Sequence, residues 1–191
     1  MQPITKETRM SYIPPVLQVL LALLTAVAGA TDIRTRRIPN WLVLVGLVLG
    51  FGMNWFLFGS VGLTQSAKGL GLALLIYFPL FALRAMGAGD AKLMGAVGAI
   101  VGPGNWFGIF LATAVLGGVV GILVVLVRKR FSHTVFNVAF IVRELMAFRP
   151  PYLKREDLQT GSEQAISLPH GSIIACASVL FLIAVNLWAP R

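Results

Sequence analysis

Charge is what this chain has least of. Only 12% of its residues are Asp, Glu, Lys or Arg, against 57% that are hydrophobic, whereas a soluble domain is roughly a quarter charged. A water-exposed fold cannot hide that much apolar surface, so a soluble globule is excluded. No polar stretch is long enough to build a second domain, and residues 1–191 read as one integral membrane domain. Cysteine is scarcer still: Cys176 stands alone, which removes an internal disulfide and any CxxC zinc site, and its apolar run suggests inert packing. The two histidines, His133 and His170, are too far apart in sequence to suggest a metal site. Both are expected to be structural.

What the chain does have is apolar runs near the roughly 18 to 20 residues a helix needs to cross about 30 Å of hydrocarbon. About six spans can be drawn, at 15–31, 41–58, 69–86, 91–102, 105–127 and 169–188. The expected fold is therefore all-α and polytopic. The run 91–102 is too short to cross alone at about 1.5 Å per residue, and the Gly102-Pro103-Gly104 break should join it to the next run. Residues 131–148 interleave Phe136, Phe140 and 142–146 with His133, Asn137, Arg143 and Glu144. They read as a cytoplasmic amphipathic helix lying in the interface, ended by Pro150 and Pro151 and followed by a polar loop over 154–167.

The net charge of +9 raises the question of nucleic acid, but the basic residues sit between apolar runs. That placement points to topology signals and to anionic lipid headgroups instead, and no nucleic-acid partner is expected. The first run ends in Ala26-Val27-Ala28 and Ala28-Gly29-Ala30, the small residues of a secretory cleavage site. Against that reading, Arg34, Arg36 and Arg37 follow at once and hold this end in the cytoplasm. With that end inside, Arg84, Lys92, Arg128 to Arg130, Arg143, Arg149, Lys154 and Arg155 also fall inside, leaving Lys6, Arg9, Lys68 and Arg191 outside. The N-terminus is then external. Trp41, Trp55, Trp106 and Trp188 lie near span ends, where an aromatic belt is expected.

The chain has seven acids. Glu7, Glu144, Glu156, Asp157 and Glu163 lie in polar segments, whereas Asp32 and Asp90 abut the cytoplasmic ends of apolar spans, where a carboxylate is costly without a partner or a task. Two carboxylates held together in a poorly solvated site share a proton. One takes a proton from a water between them while its protonated partner polarises a scissile carbonyl, which is aspartic peptidase chemistry and needs no cofactor or metal. Gly87-Ala88-Gly89 ahead of Asp90 leaves room for an extended peptide. The plainer alternative pairs Asp32 with Arg34, Arg36 or Arg37 as a neutralised anchor. A proton-coupled transporter or channel would use the same carboxylates, but such a protein carries its acids near the midplane. These two lie near one face.

The segment Asp32-Ile33-Arg34-Thr35-Arg36-Arg37-Ile38-Pro39-Asn40 resembles the first-aspartate segment of type IV prepilin peptidases, and Gly87-Ala88-Gly89-Asp90-Ala91-Lys92-Leu93 resembles their GxGD segment. Leu168-Pro169-His170-Gly171 is similar to the family's Pro-aromatic-Gly opening of the last span, with His in the aromatic place. The resemblance implies an inner-membrane aspartic peptidase that removes the short basic leader of prepilins on the cytoplasmic side, with Asp32 and Asp90 as the catalytic pair. Gly87, Gly89, Lys92, Arg36 and Arg37 are its candidate motif or substrate-binding residues, the three basic ones serving equally well as inside-positive anchors. With one cysteine and no inserted domain, the chain resembles the small, peptidase-only branch of tight-adherence (Flp) pilus systems, without N-methylation. Pro39 and Asn40 start the second span, with Asn40 as a helix cap.

Overall fold

The computed structural model describes residues 13–83, 86–127 and 170–188, and among them every regular element is helical. Four helices follow one another: α1 (Pro15–Thr35), α2 (Asn40–Ala82), α3 (Ala88–Val127) and α4 (His170–Trp188). All four are long and apolar enough to cross a membrane.

The six spans drawn from sequence are carried on four continuous helical stretches, because α2 and α3 each join two helices across a bend, at Gly59 and at Gly102. Residues 59–68, polar enough to suggest a connecting loop, continue as helix beyond Gly59, which has φ 61° and ψ −140°. Thr64 Oγ1 donates back to the Ser60 carbonyl at 2.7 Å, whereas the Ser66 hydroxyl is buried without a hydrogen-bond partner among the described residues. The chain reverses there: Gly62 lies against the Asn54 carbonyl so closely that a Cβ would overlap it, although eight residues of straight helix would separate them by about 12 Å. Gly102, with φ 73° and ψ 173°, makes a second reversal before Pro103. Twelve residues apart in sequence, Trp106 Nε1 nevertheless donates to the Met94 carbonyl at 3.0 Å. Positive φ is nearly free for glycine and strained for other residues. The amphipathic helix over 131–148 and the loop over 154–167 lie outside the described residues.

Between these reversals runs the centre of the fold, the α3 segment from Ala88 to the Gly102 bend. Every side chain from Leu93 to Val101 is buried. Small residues make this possible. Gly46 meets Ala96, Gly50 meets the backbone of Ala99 and Ile100, and Gly69 meets Gly98 backbone to backbone. Without a hydrophobic drive between helices in lipid, such close backbone approach supplies the dispersion contacts that hold a bundle together. Asn54 pins the second reversal, donating through Nδ2 to the carbonyls of Ala99 (3.2 Å) and Ile100 (3.0 Å). The outside is apolar instead of polar, with Phe56, Leu75, Phe78, Val115 and Ile122 all exposed.

α1 and α4 pack antiparallel. Gln18 and Asn186 exchange amide hydrogen bonds at one end (2.8 Å and 3.4 Å). At the other end Gly29 abuts Ala175, and Gly171 abuts Asp32. Leu17, Leu21, Leu24 and Ala28 of α1 are buried in the core, so the first apolar run is an integral part of the bundle. Two expectations change here. Trp106 is fully buried, stacked on Phe110 at 5.5 Å, because the Gly102 reversal folds it inward; Trp41 is exposed at the start of α2 and Trp55 is exposed just before the Gly59 bend. Cys176 is also exposed, on the outer side of α4 and away from the core.

Candidate active site

One end of the bundle collects the C-terminus of α1, the linker into α2, and the N-termini of α2, α3 and α4. Asp32 arrives on the last turn of α1. Arg36 ends that helix in the left-handed region (φ 51°, ψ 32°), with its N–H donating to the Asp32 carbonyl at 2.8 Å. The Asp32 side chain is 7% exposed. Its partner comes from α4: the Gly171 N–H donates to Oδ2 at 2.8 Å. Arg34, Arg36 and Arg37 point into the surroundings and are exposed. An exposed ion pair contributes roughly 0 to 1 kcal/mol, whereas a buried hydrogen bond to a charged group contributes about 1.5 to 3 kcal/mol. The α4 N-terminus therefore holds this carboxylate.

Asp90 sits on the first turn of α3, three residues after Gly87, and accepts a hydrogen bond from the Gly87 N–H. This is half of a capping box, in which an acid at the third helical position satisfies the donor just before the helix. The two glycines differ. A Cβ on Gly87 would come within 3.3 Å of Asp90 Oδ2, and one on Gly89 would make ordinary contact with Ile38 of the α1–α2 linker at 3.4 Å. Gly87 thus leaves the carboxylate clear, while Gly89 lies beside the linker without requiring glycine for space.

Carboxylates 58 positions apart in sequence are brought within electrostatic reach of each other, Asp32 from α1 and Asp90 from α3. Lys92 is exposed and donates to Asn40 Oδ1 at 3.1 Å, tying the start of α3 to that of α2. Asn40 consequently does not cap α2. Pro39 holds the cap position, its carbonyl accepting from Leu42 (3.1 Å) and Val43 (3.4 Å) without a side-chain cap, because the Asn40 amide is engaged by the lysine.

Two further residues neighbour the acids: Tyr77, which lies in no motif, and His170, which stands in the aromatic place of the segment opening the last span. Tyr77 is buried, lies within electrostatic reach of Asp90, and packs edge-on against Trp106 and Phe110 at 6.1 Å and 6.0 Å. The three rings form one aromatic cluster inside the bundle. A tyrosine inside an otherwise apolar run was the available sequence signal, since a buried hydroxyl needs a polar destination. His170 lies within electrostatic reach of Asp32, and its Nε2 is buried with no hydrogen-bond partner. Among the described residues no group of three His, Cys, Asp or Glu side chains is placed to hold a metal.

Comparison with curated proteins and with solved structures gave no match. The model of the Type IV leader peptidase family matches residues 19–122, more than half of the chain, including both Asp32 and Asp90 and ending before α4. The chain belongs to the type IV leader peptidase family and is a peptidase built from helices of membrane-spanning length.

Proposed function

We propose that this peptidase is an aspartic endopeptidase in which Asp32 and Asp90 act on one shared water, one carboxylate taking its proton while the protonated other polarises the scissile carbonyl. The reading is supported above all by two carboxylates, from α1 and α3, lying within electrostatic reach of each other at one end of an apolar bundle. The substrate is a type IV prepilin of the Flp kind, cut between its short basic leader and its hydrophobic segment. Residues 1–191 work as one integral membrane domain of the inner membrane. The distribution of Lys and Arg between the apolar runs puts the N-terminus outside and the acids at the cytoplasmic face. There the exposed Arg34, Arg36 and Arg37 also face anionic lipid.

Chemistry of this kind needs peptide and water alone, so the purified chain in liposomes should cleave a synthetic leader peptide without added cofactor. Mass spectrometry of the product should give a single cut with an unmodified new amino group, even when a methyl donor is supplied. Methylation of that amino group would refute the peptidase-only reading. Ion flux without peptide cleavage would instead favour a transporter.

A further inference from the structure

α4 lies beyond the residues matched by the family model, yet its first turn reaches directly into the site. The Gly171 N–H donates to Asp32 Oδ2 at 2.8 Å in a buried setting. The contact is also steric: a Cβ on Gly171 would sit 3.0 Å from Asp32 Oδ2 and 3.1 Å from its Cβ and Cγ. Something must yield if that position carries a side chain. The root of Asp32 is fixed, since its carbonyl accepts the Arg36 N–H. α1 is also pressed against α4 one turn earlier, where a Cβ on Gly29 would meet Ala175 Cβ at 2.9 Å. What remains free to move is the carboxylate torsion. An N–H on one oxygen and a missing methyl beside it therefore select one orientation of the carboxylate.

We infer that Gly171 is a positioning residue of the peptidase: its main-chain N–H and its lack of a Cβ hold the Asp32 carboxylate in the orientation that faces Asp90 and the substrate. The inference rests on the two-aspartate reading proposed above. It makes α4 part of the active site and gives the Gly171 position a stereochemical requirement for glycine.

The test compares Gly171→Ala with Gly29→Ala in the full chain in liposomes, measuring kcat and KM for a synthetic leader peptide, with thermal unfolding alongside. Gly29→Ala strains the same helix pair through Ala175 without touching the carboxylate. Because misplacing a reacting group by about 1 Å costs on the order of a hundredfold, Gly171→Ala should lower kcat by about 30-fold or more with KM within about twofold. Gly29→Ala should lose stability comparably but keep kcat within about threefold. A wild-type kcat in Gly171→Ala, or equal kcat losses in the two variants, overturns the positioning role. If Gly171→Ala does not accumulate as folded protein, Asp32→Glu asks the same question from the other side, since its longer stem moves the carboxylate off the Gly171 N–H. A kcat within about threefold of wild type there also overturns it. Asp32→Ala separates the two claims: normal cleavage by that variant refutes the two-aspartate reading itself, whereas its inactivity beside an active Gly171→Ala refutes only the role of Gly171.

Discussion

Replacing Asp32 or Asp90 by Asn should lower leader cleavage by at least about a thousandfold, the upper part of the range for positioned acid–base catalysis, while the protein stays folded. The amide substitution is chosen because it keeps the shape and one acceptor. Asn at position 32 still receives the Gly171 N–H, and Asn at position 90 still receives the Gly87 N–H. Neither helix end loses its structural hydrogen bond, so unfolding midpoints should move little. What each variant loses is the ability to take or hold a proton. If either Asn variant cleaves at near the wild-type rate, the acids serve as anchors and the dyad account fails. Product formation followed by mass spectrometry, with unfolding midpoints measured on the same preparations, checks both halves.

The second large effect is on stability. Gly69 and Gly98 meet backbone to backbone, and a Cβ on either would overlap the other's carbonyl. Backbone cannot swing aside as a side chain can. Gly98→Val should therefore destabilise the bundle by at least about 3 kcal/mol, the upper part of the usual range for overpacking, and little folded protein should be recovered. Gly71 offers the contrast, for nothing lies within 4 Å of where its Cβ would stand. Gly71→Ala should be neutral or stabilising by up to about 1 kcal/mol through helix propensity. Unfolding in detergent followed by circular dichroism decides the pair. Equal stabilities for Gly98→Val and Gly71→Ala would contradict the packing described here.

Local signals made some of this legible. Asp32 and Asp90 stand out because carboxylates beside apolar runs are rare and costly, and the Gly102-Pro103-Gly104 break announces itself. The Gly59 reversal does not, since Ser60, Thr64, Gln65, Ser66 and Lys68 give that stretch the composition of a loop. In place, it is helix, with the Thr64 hydroxyl folded back on the backbone. Trp106 misleads for a related reason. Its position near a break suggests an interfacial ring, and only the direction of the Gly102 turn puts it inside.

Register between distant elements is the part sequence does not carry. Gly171 and Asp32 are 139 residues apart, and the motif segments around them do not say that the two touch. The same holds for Tyr77 beside Asp90 and for Lys92 on Asn40, each decided by which helix faces meet. Sequence locates the expensive groups, whereas packing determines which partners make them affordable.

The central claim is that two acids from separate helices act on one water at a scissile peptide bond. A structure of the wild-type chain with an uncleavable leader peptide bound, its scissile amide replaced by a reduced linkage, tests this most directly. The account requires an oxygen of Asp32 and an oxygen of Asp90 both within about 3 Å of a common water or of the atoms that replace the carbonyl. Peptide bound in the same cleft with either carboxylate remote from its reduced linkage, or turned toward lipid, would contradict it.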